Sequence, residues 1–173
     1  MDEVAVTSAL GAVVALHSRI PDQALTASLL GTERGGHGVV FRDDGLILTI
    51  GYLVTEAESV FVVTASGQTL PAHVVAYDQE TGFGLVQALG RIDATHVEIG
   101  SSADLVVGDP VVLAGHGGKS DSVQQKIIAK REFAGYWEYL LDEAIFTAPP
   151  HQNWGGAGLI NRHGELEIGR AHV

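Results

Sequence analysis

Residues 36–49 read Gly-His-Gly-Val-Val-Phe-Arg-Asp-Asp-Gly-Leu-Ile-Leu-Thr, two short apolar runs on either side of a turn. The first run, residues 38–42, and the second, residues 46–50, are rich in the β-branched and large apolar residues that favour strands. Between them, Asp43-Asp44-Gly45 is a turn sequence, because glycine accepts positive φ and aspartate bonds to nearby backbone. The stretch therefore predicts a β-hairpin.

Short apolar runs separated by turn residues continue through the rest of the chain. Residues 20–30 leave room for a helical turn or a surface loop, and no other segment is long and helically periodic. Short strands with Gly/Asp turns between them are typical of sandwiches and barrels, so we predict an all-β fold. The further candidate strands are residues 12–16, 60–65, 70–75, 83–87, 111–114, 125–130, 144–147, 158–160 and 165–168.

Length and composition bound the possible functions. At 173 residues the chain is one domain or two closely fused subdomains, with a boundary expected near residues 89–100. It has no cysteine, which excludes disulfides and thiolate metal sites. The formal net charge of −11 argues against nucleic acid or an anionic membrane surface as a partner. The acidic start predicts no signal peptide, consistent with a cytoplasmic protein or with a chain cut downstream of a leader.

A second informative stretch, residues 149–161, reads Pro-Pro-His-Gln-Asn-Trp-Gly-Gly-Ala-Gly-Leu-Ile-Asn. Glycine-rich turns of this kind often present a reactive group or a nest of backbone amides. Here no Ser, Thr or Cys lies between Pro149 and Gly158, and Trp154 stands where a nucleophile is sought. The turn is therefore an active site, a degenerate one, or an ordinary hairpin.

Four stretches, in order, resemble the HtrA/DegP-like trypsin-fold serine proteases. Residues 36–49 resemble G-S-G-V-I-I-x-x-x-G-Y-I-L-T, and residues 77–86 resemble S-D-x-x-T-D-L-A-L-L. Residues 99–109 are similar to L-G-D-S-(D/S)-x-L-x-V-G-D, and residues 149–169 to N-S-G-G-P-L-x-N-x-x-G-x-V-I-G. The resemblance implies one trypsin-like domain over residues 1–173, with two six-stranded antiparallel β-barrels at 12–90 and 100–169 and the active site between them. No PDZ domain is visible in the sequence.

The sequence departs from this family at the base and the acid of the catalytic triad. The histidine of L-T-x-x-H-V falls on Tyr52, and the aspartate of T-D-L-A-L falls on Gly82. Serine attack needs a base of near-neutral pKa and an acidic group that orients it. Tyrosine, with a pKa of about 10, is a poor base at neutral pH, and glycine orients nothing.

The nucleophile position depends on how the turn is aligned. The family's serine falls on Trp154 when aligned on the following glycines, on Gly155 when counted back from Asn161, and on Asn153 when counted from Pro150. None of these residues is a nucleophile. We therefore predict a pseudoprotease that is not an enzyme, with degenerate triad positions at Tyr52, Gly82 and Trp154. The indole either fills the emptied pocket or offers a platform for a ligand.

Two alternatives remain open. Under the resemblance, His37, His116 and His151 lie on cleft-lining segments and are candidate ligands for a metal or a small molecule, beside Asn153 and Gly155. No histidine pair has the H-x-x-x-H or H-x-H spacing of a local ligand set, and a chance surface position is the simpler interpretation of each. The second alternative is residual serine-type peptidase activity.

Peptide recognition can outlive catalysis, because backbone pairing with a barrel edge does not use the triad. We therefore predict a peptide- or protein-binding module with a scaffolding or regulatory role and no cofactor. The aromatic residues of 133–139, with acidic Glu138, Asp142 and Glu143 nearby, favour a basic protein partner. The resemblance suggests the periplasm or cell envelope, and it leaves the oligomeric state open.

Overall fold

The computed structural model describes residues 1–135, 140–152 and 154–168. The chain is nearly all-β and forms two packed sheets, so the predicted trypsin-like two-barrel fold is confirmed. The strands are β1 (Val13–Arg19), β2 (Glu33–Val40), β3 (Leu46–Ile50), β4 (Ser59–Val63), β5 (Thr69–Tyr77), β6 (Phe83–Ala88), β7 (Pro110–Ala114), β8 (Ser122–Phe133), β9 (Leu141–Ala148), β10 (Gly158–Ile160) and β11 (Leu166–Glu167).

The first six strands close into an antiparallel barrel in the order β1-β2-β3-β6-β5-β4, with β4 pairing back onto β1. The predicted hairpin is β2–β3, in which Gly38 faces Thr49 and Val40 faces Ile47. Its turn needs glycine, because Gly45 has a φ of +83°. Closure leaves this barrel without a free sheet edge.

The remaining strands form a curled half-barrel in the order β11-β10-β7-β8-β9. The family resemblance implied six strands here, whereas the described residues contain five. The sheet is open, so β9 and β11 are its edge strands. The proposed subdomain boundaries, residues 12–90 and 100–169, stay a prediction.

Short helices complete the fold: α1 (Glu3–Leu10), α2 (Ala27–Leu30) and 3-10 helices Gly51–Leu53, Ser102–Asp104 and Gly118–Asp121. The sequence predicted a helical turn or a loop at residues 20–30, where α2 lies, and it did not predict the short helix α1. The Asp2 carboxylate caps α1 by accepting from Val4 N (3.1 Å) and Ala5 N (3.0 Å), while Leu10 is buried in the core. Of the helices in the described part of the chain, none is long and apolar enough to cross a membrane.

The largest hydrophobic cluster joins the two sheets. Val39 and Leu53 of the first barrel pack in one buried cluster with Val112, Ile160 and Leu166 of the second sheet. The two halves therefore share a core beside the groove between them. That groove holds the two stretches that the sequence singled out.

Candidate functional site

Tyr52 lies in the 3-10 helix Gly51–Leu53 that follows β3 directly. Gly51 N donates to Gly82 O at 2.6 Å. Only glycine fits at position 51, because an added Cβ would stand 2.0 Å from the Tyr77 ring. The backbone carrying Tyr52 therefore touches the backbone of Gly82, as expected for neighbouring parts of one site.

Gly82 belongs to a tight turn before β6 and has a φ of +77°. Gly82 N donates to Asp78 O at 2.9 Å. The Asp78 carboxylate accepts from Thr81 Oγ1 at 2.5 Å and from Glu80 N at 3.1 Å, and these bonds hold the pKa of Asp78 below its usual range, the Thr81 hydroxyl most of all. The turn is therefore fixed by its own polar groups.

The glycine turn closes against Tyr52 and β2. A Cβ on Gly155 would stand 2.7 Å from the Tyr52 hydroxyl oxygen, and Gly155 O accepts from His37 N at 2.7 Å. Gly156 has a φ of +75°, and a Cβ there would stand 1.9 Å from His37 O. Trp154 lies beside these glycines with 39% of its surface exposed.

Two of the predicted histidines meet in the cleft that also contains Tyr52, Trp154 and Gly155. His116 N donates to His37 Nδ1 at 3.1 Å, so Nδ1 carries no proton. His116 Nε2 lies 3.0 Å from Thr64 O, and since a carbonyl only accepts, that nitrogen carries the proton. Both rings are thus held in defined tautomers.

The third histidine has a different partner. His151 is buried, and its Nε2 lies 3.3 Å from Asp121 Oδ1 and 3.2 Å from Asp121 O. Asp121 itself lines the cleft beside His37 and His116. Over residues 1–135, 140–152 and 154–168, no three His, Asp or Glu side chains are arranged to hold a metal ion. The three-histidine metal alternative therefore gains no support from these residues.

A second cavity, of about 80 Å³, lies between the barrels. Trp154, Gly82 and Gly156 contribute to its walls, together with apolar residues of the second sheet such as Leu166. Trp154 therefore borders both the Tyr52 cleft and this apolar cavity. The arrangement suits a groove that contacts the backbone of a ligand on one side and holds an apolar group of that ligand on the other.

Some predicted residues fall elsewhere. Asn153 and the aromatic stretch 136–139, with Glu138, lie outside the described residues. Asp142 and Glu143 are exposed on β9, where Glu143 Oε1 lies 3.2 Å from Lys130 Nζ.

Sequence reasoning missed Arg34 and Glu167, both almost fully buried. Neither residue carries a sequence signal of burial. Glu167 follows the alternation Glu165-Leu166-Glu167-Ile168, which is typical of a half-exposed strand and predicts an exposed glutamate. Arg34 is a single basic residue in a glycine-rich segment.

The fold and the cleft define a trypsin-like peptidase domain. The profile of the family described as "Trypsin-like peptidase domain" matches residues 36–169, most of the chain, and the chain belongs to that family. Within it, the chain is similar to HtrA-type proteins.

Serine protease HTRA1 of Xenopus tropicalis is 26% identical over 76% of this chain and 30% of its own length. Serine protease PepD of Mycobacterium tuberculosis (strain ATCC 25618 / H37Rv) is 26% identical over 85% of this chain and 36% of its own length. The structure of the "HtrA-type protease AlgW with tripeptide" has a TM-score of 0.75 and 22% identity, covering 94% of this chain and 51% of that one. The chain thus spans about a third of the length of these curated relatives.

These relatives correct one prediction. The chain was expected not to be an enzyme, but the similar proteins are named serine proteases, which points to a protease family. The prediction rested on residue identity at three aligned positions, while family membership rests on the whole fold. The expected trypsin-like family is confirmed, and the similarity to HtrA-type proteins supports its finer part.

Proposed function

We propose that this domain recognises an extended peptide in the cleft between its two barrels. The observation that carries the proposal is the position of Trp154. Its side chain is partly exposed and borders both the Tyr52 cleft and the apolar cavity between the barrels. A flat aromatic surface beside an apolar cavity suits a peptide side chain. The solved HtrA-type neighbour with a tripeptide supports a peptide as the ligand class.

Backbone pairing is the second part of the proposed recognition. The second sheet is open at β9, and an open edge can hydrogen-bond an added strand, whereas the edge at β11 is already paired with residues 98–100 through Leu166. A peptide held this way uses main-chain bonds for affinity and the apolar cavity for side-chain choice. A scaffolding or regulatory role would follow from the same binding.

The proposal includes an assignment of the triad positions. Tyr52 and Gly82 correspond to the family's base and acid, since their backbones touch through Gly51. Gly155, rather than Trp154, corresponds to the nucleophile, since a Cβ there would point at the Tyr52 hydroxyl at 2.7 Å. This favours the alignment counted back from Asn161 and makes Trp154 the neighbour of that position.

A peptide-library screen tests the proposal. We expect selected peptides to bind the wild-type domain, and Trp154→Ala to weaken binding about tenfold or more, as expected for an aromatic anchor. Leu25→Ala is the control, because Leu25 is 90% exposed and lies outside the cleft lining. The proposal fails if no peptide binds, or if the two variants bind alike. Mass spectrometry of the same samples would report hydrolysis of bound peptide.

A further inference from the structure

A small acidic pocket lies at the hairpin that joins β10 to β11, and it shares no lining residue with the Tyr52 cleft. Its volume is about 130 Å³, which is enough to hold a small molecule in place of water. The side chains that matter most on its wall are those of Asp104, Asp109, Asn161, Arg162, Glu165 and Glu167.

Glu167 is the central group of this acidic pocket. It is 3% exposed, and Asn161 Nδ2 donates to its Oε1 at 2.6 Å and to Glu165 Oε2 at 2.8 Å. Its second oxygen, Oε2, is buried and accepts no hydrogen bond from any residue of the described chain. A buried acceptor that receives no hydrogen bond lowers the stability of the folded state, so a ligand that donates a hydrogen bond to this oxygen would be stabilised in the pocket.

The direction of the Glu167 side chain follows from strand alternation. Leu166, Glu167 and Ile168 all contribute to the wall of the apolar cavity between the barrels, and Glu167 contributes to the acidic pocket as well. Successive side chains on a strand point to opposite faces, and the bond from Asn161, which lines the acidic pocket but not the apolar cavity, holds the Glu167 carboxylate on the wall of the acidic pocket. The carboxylate that bears the unpartnered oxygen therefore lies at the acidic pocket.

The charge around Glu167 is mainly negative. Burial is the main cause that raises the pKa of Glu167, and Glu165 and Asp104 raise it further, whereas the hydrogen bond from Asn161 and the charge of Lys130 lower it. The Lys130 ammonium donates to Ser102 O at 2.7 Å and to Leu105 O at 2.9 Å. Lys130 therefore relieves the negative charge without donating to Glu167.

Two other charged groups of the pocket already have partners. Arg162 Nε donates to His163 Nε2 at 3.2 Å, and Asp109 Oδ2 accepts from Val106 N at 2.9 Å. Within the described residues, no three carboxylates or histidines are arranged to hold a metal ion. A ligand for this pocket must therefore be cationic, small and a hydrogen-bond donor.

We propose that the acidic pocket binds a primary ammonium group. An ammonium has one positive charge and three donors, which suits the free oxygen of Glu167 and the carboxylate of Glu165. The formal net charge of −11 favours the approach of such a cation. The group comes from a lysine side chain of a protein partner or from a free amine. This proposal does not depend on peptide recognition in the cleft, although Glu167 also contributes to the wall of the apolar cavity.

Titration of the ¹⁵N-labelled protein with n-butylammonium chloride tests the site, at constant ionic strength and about pH 7.5, where carboxylates are largely ionised. Saturable shifts are expected at the amides around the pocket, above all at Gly100, whose N–H bonds to Leu166 O on β11. Tetramethylammonium has the charge but no N–H donor, and should bind about tenfold more weakly or worse. Equal responses to tetramethylammonium, or to sodium, would overturn the proposal.

Variants locate the binding site. Glu167→Gln should weaken butylammonium binding about tenfold. Glu132→Gln is the same change at an exposed residue of β8 and should leave the binding unchanged. Glu165→Gln, at the pocket wall, should weaken butylammonium binding about threefold. If Glu167→Gln does not fold, the Glu165→Gln variant alone tests whether the ammonium binds in this pocket. Wild-type affinity in Glu165→Gln and in any folded Glu167→Gln protein would refute the site.

The source of the ammonium is decided by a last pair of ligands. Blocked lysine, with both main-chain ends capped, is compared with the same compound acetylated on Nζ, which removes the charge. Binding of blocked lysine alone assigns the pocket to a partner's side chain. Binding of butylammonium but not blocked lysine assigns it to a free amine. Binding of the acetylated compound with equal affinity would contradict an ammonium site.

Discussion

Gly156 is the residue that holds the glycine turn against β2. Its φ of +75° is the left-handed region, which side chains rarely adopt, and a Cβ would stand 1.9 Å from His37 O. Gly67 has a similar φ of +88°, but a Cβ there would meet nothing within 4 Å. The two positions therefore separate the cost of backbone conformation from the cost of a steric clash.

Gly156→Ala should reduce the free energy of unfolding by about 3 kcal/mol or more, because strain and clash act together. Gly67→Ala should cost only about 1–2 kcal/mol, the penalty of a left-handed alanine. Urea unfolding of both variants measures the difference. Equal losses would show that His37 and Gly156 are not in close contact.

Glu167 should give the protein a pH-dependent stability. Burial raises the pKa of Glu167 above its value in the unfolded chain, so the folded state binds the proton more tightly. The stability that this group contributes is therefore fully present below the unfolded pKa. It is lost as the pH rises through the folded pKa. Relative to wild type, Glu167→Gln should therefore gain stability from about pH 4 upward. Urea unfolding across that range measures it, with Glu132→Gln as the control. A pH-independent difference would contradict the buried carboxylate.

Among single residues, the sequence could predict that Tyr52 and the glycine turn belong to one site. Both lie in stretches that match motifs of the family in the same order along the chain. The alignment of Gly155 could not be chosen, since Pro150 and Asn161 gave different counts and glycine has no side chain to mark its role. The partner of Glu167 was also hidden. Burial of one strand residue depends on what packs over it, and a single sequence does not contain that information.

At the scale of elements, the 3-10 helix that carries Tyr52 is tied to the β1–β2 loop by Arg34. The Arg34 guanidinium donates to Tyr52 O at 2.7 Å, Thr55 O at 3.1 Å, Gly31 O at 3.2 Å and Thr26 Oγ1 at 2.7 Å. These acceptors belong to separate segments, so one buried side chain fixes their relative positions. Tyr52 therefore depends on a residue outside its own element.

Arg34→Met should lower stability by about 3 kcal/mol, because backbone carbonyls lose a charged donor. Arg42→Met is the control: Arg42 is exposed and pairs with Asp44 on the surface, so about 0.5 kcal/mol or less is expected. Hydrogen exchange of the Thr55 amide, which bonds to Gly51 O, reports the helix itself. Unchanged exchange at Thr55 would mean that Arg34 does not hold this helix.

Elements were predicted unevenly from the sequence. The β2–β3 hairpin was accessible because its turn chemistry and its apolar runs agree. Helix α1 was missed because it is short and its helical character comes from the Asp2 cap and from tertiary packing of Val6 and Leu10. Short helices gain most of their stability from packing, which a single sequence does not show.

At the scale of the whole molecule, the two barrels are bound by shared contacts rather than by a linker alone. Val39 and Leu166 lie in one buried cluster although they belong to different sheets. His37 N also bonds to Gly155 O across the groove. Neither half can unfold without exposing apolar surface of the other.

We therefore expect one cooperative unfolding transition. Tryptophan fluorescence, to which Trp154 at the groove contributes, and far-ultraviolet circular dichroism should give coincident urea curves. The Gly156→Ala variant should shift both curves together, because its clash lies at the boundary between the barrels. Two separated transitions would show that the barrels unfold independently.

Helix α1 places the first and last described segments side by side. Asp2 N donates to Arg162 O at 2.9 Å, and a Cβ on Gly164 would stand 2.7 Å from the Ala5 carbonyl carbon. This proximity suits circular permutation of residues 1–168, in which a linker joins residue 168 to residue 1 and new ends open at the exposed turn around Gly67. Such a permuted chain would keep every strand pairing and would move the fusion points for reporters away from the acidic pocket, which Arg162 and Glu165 line.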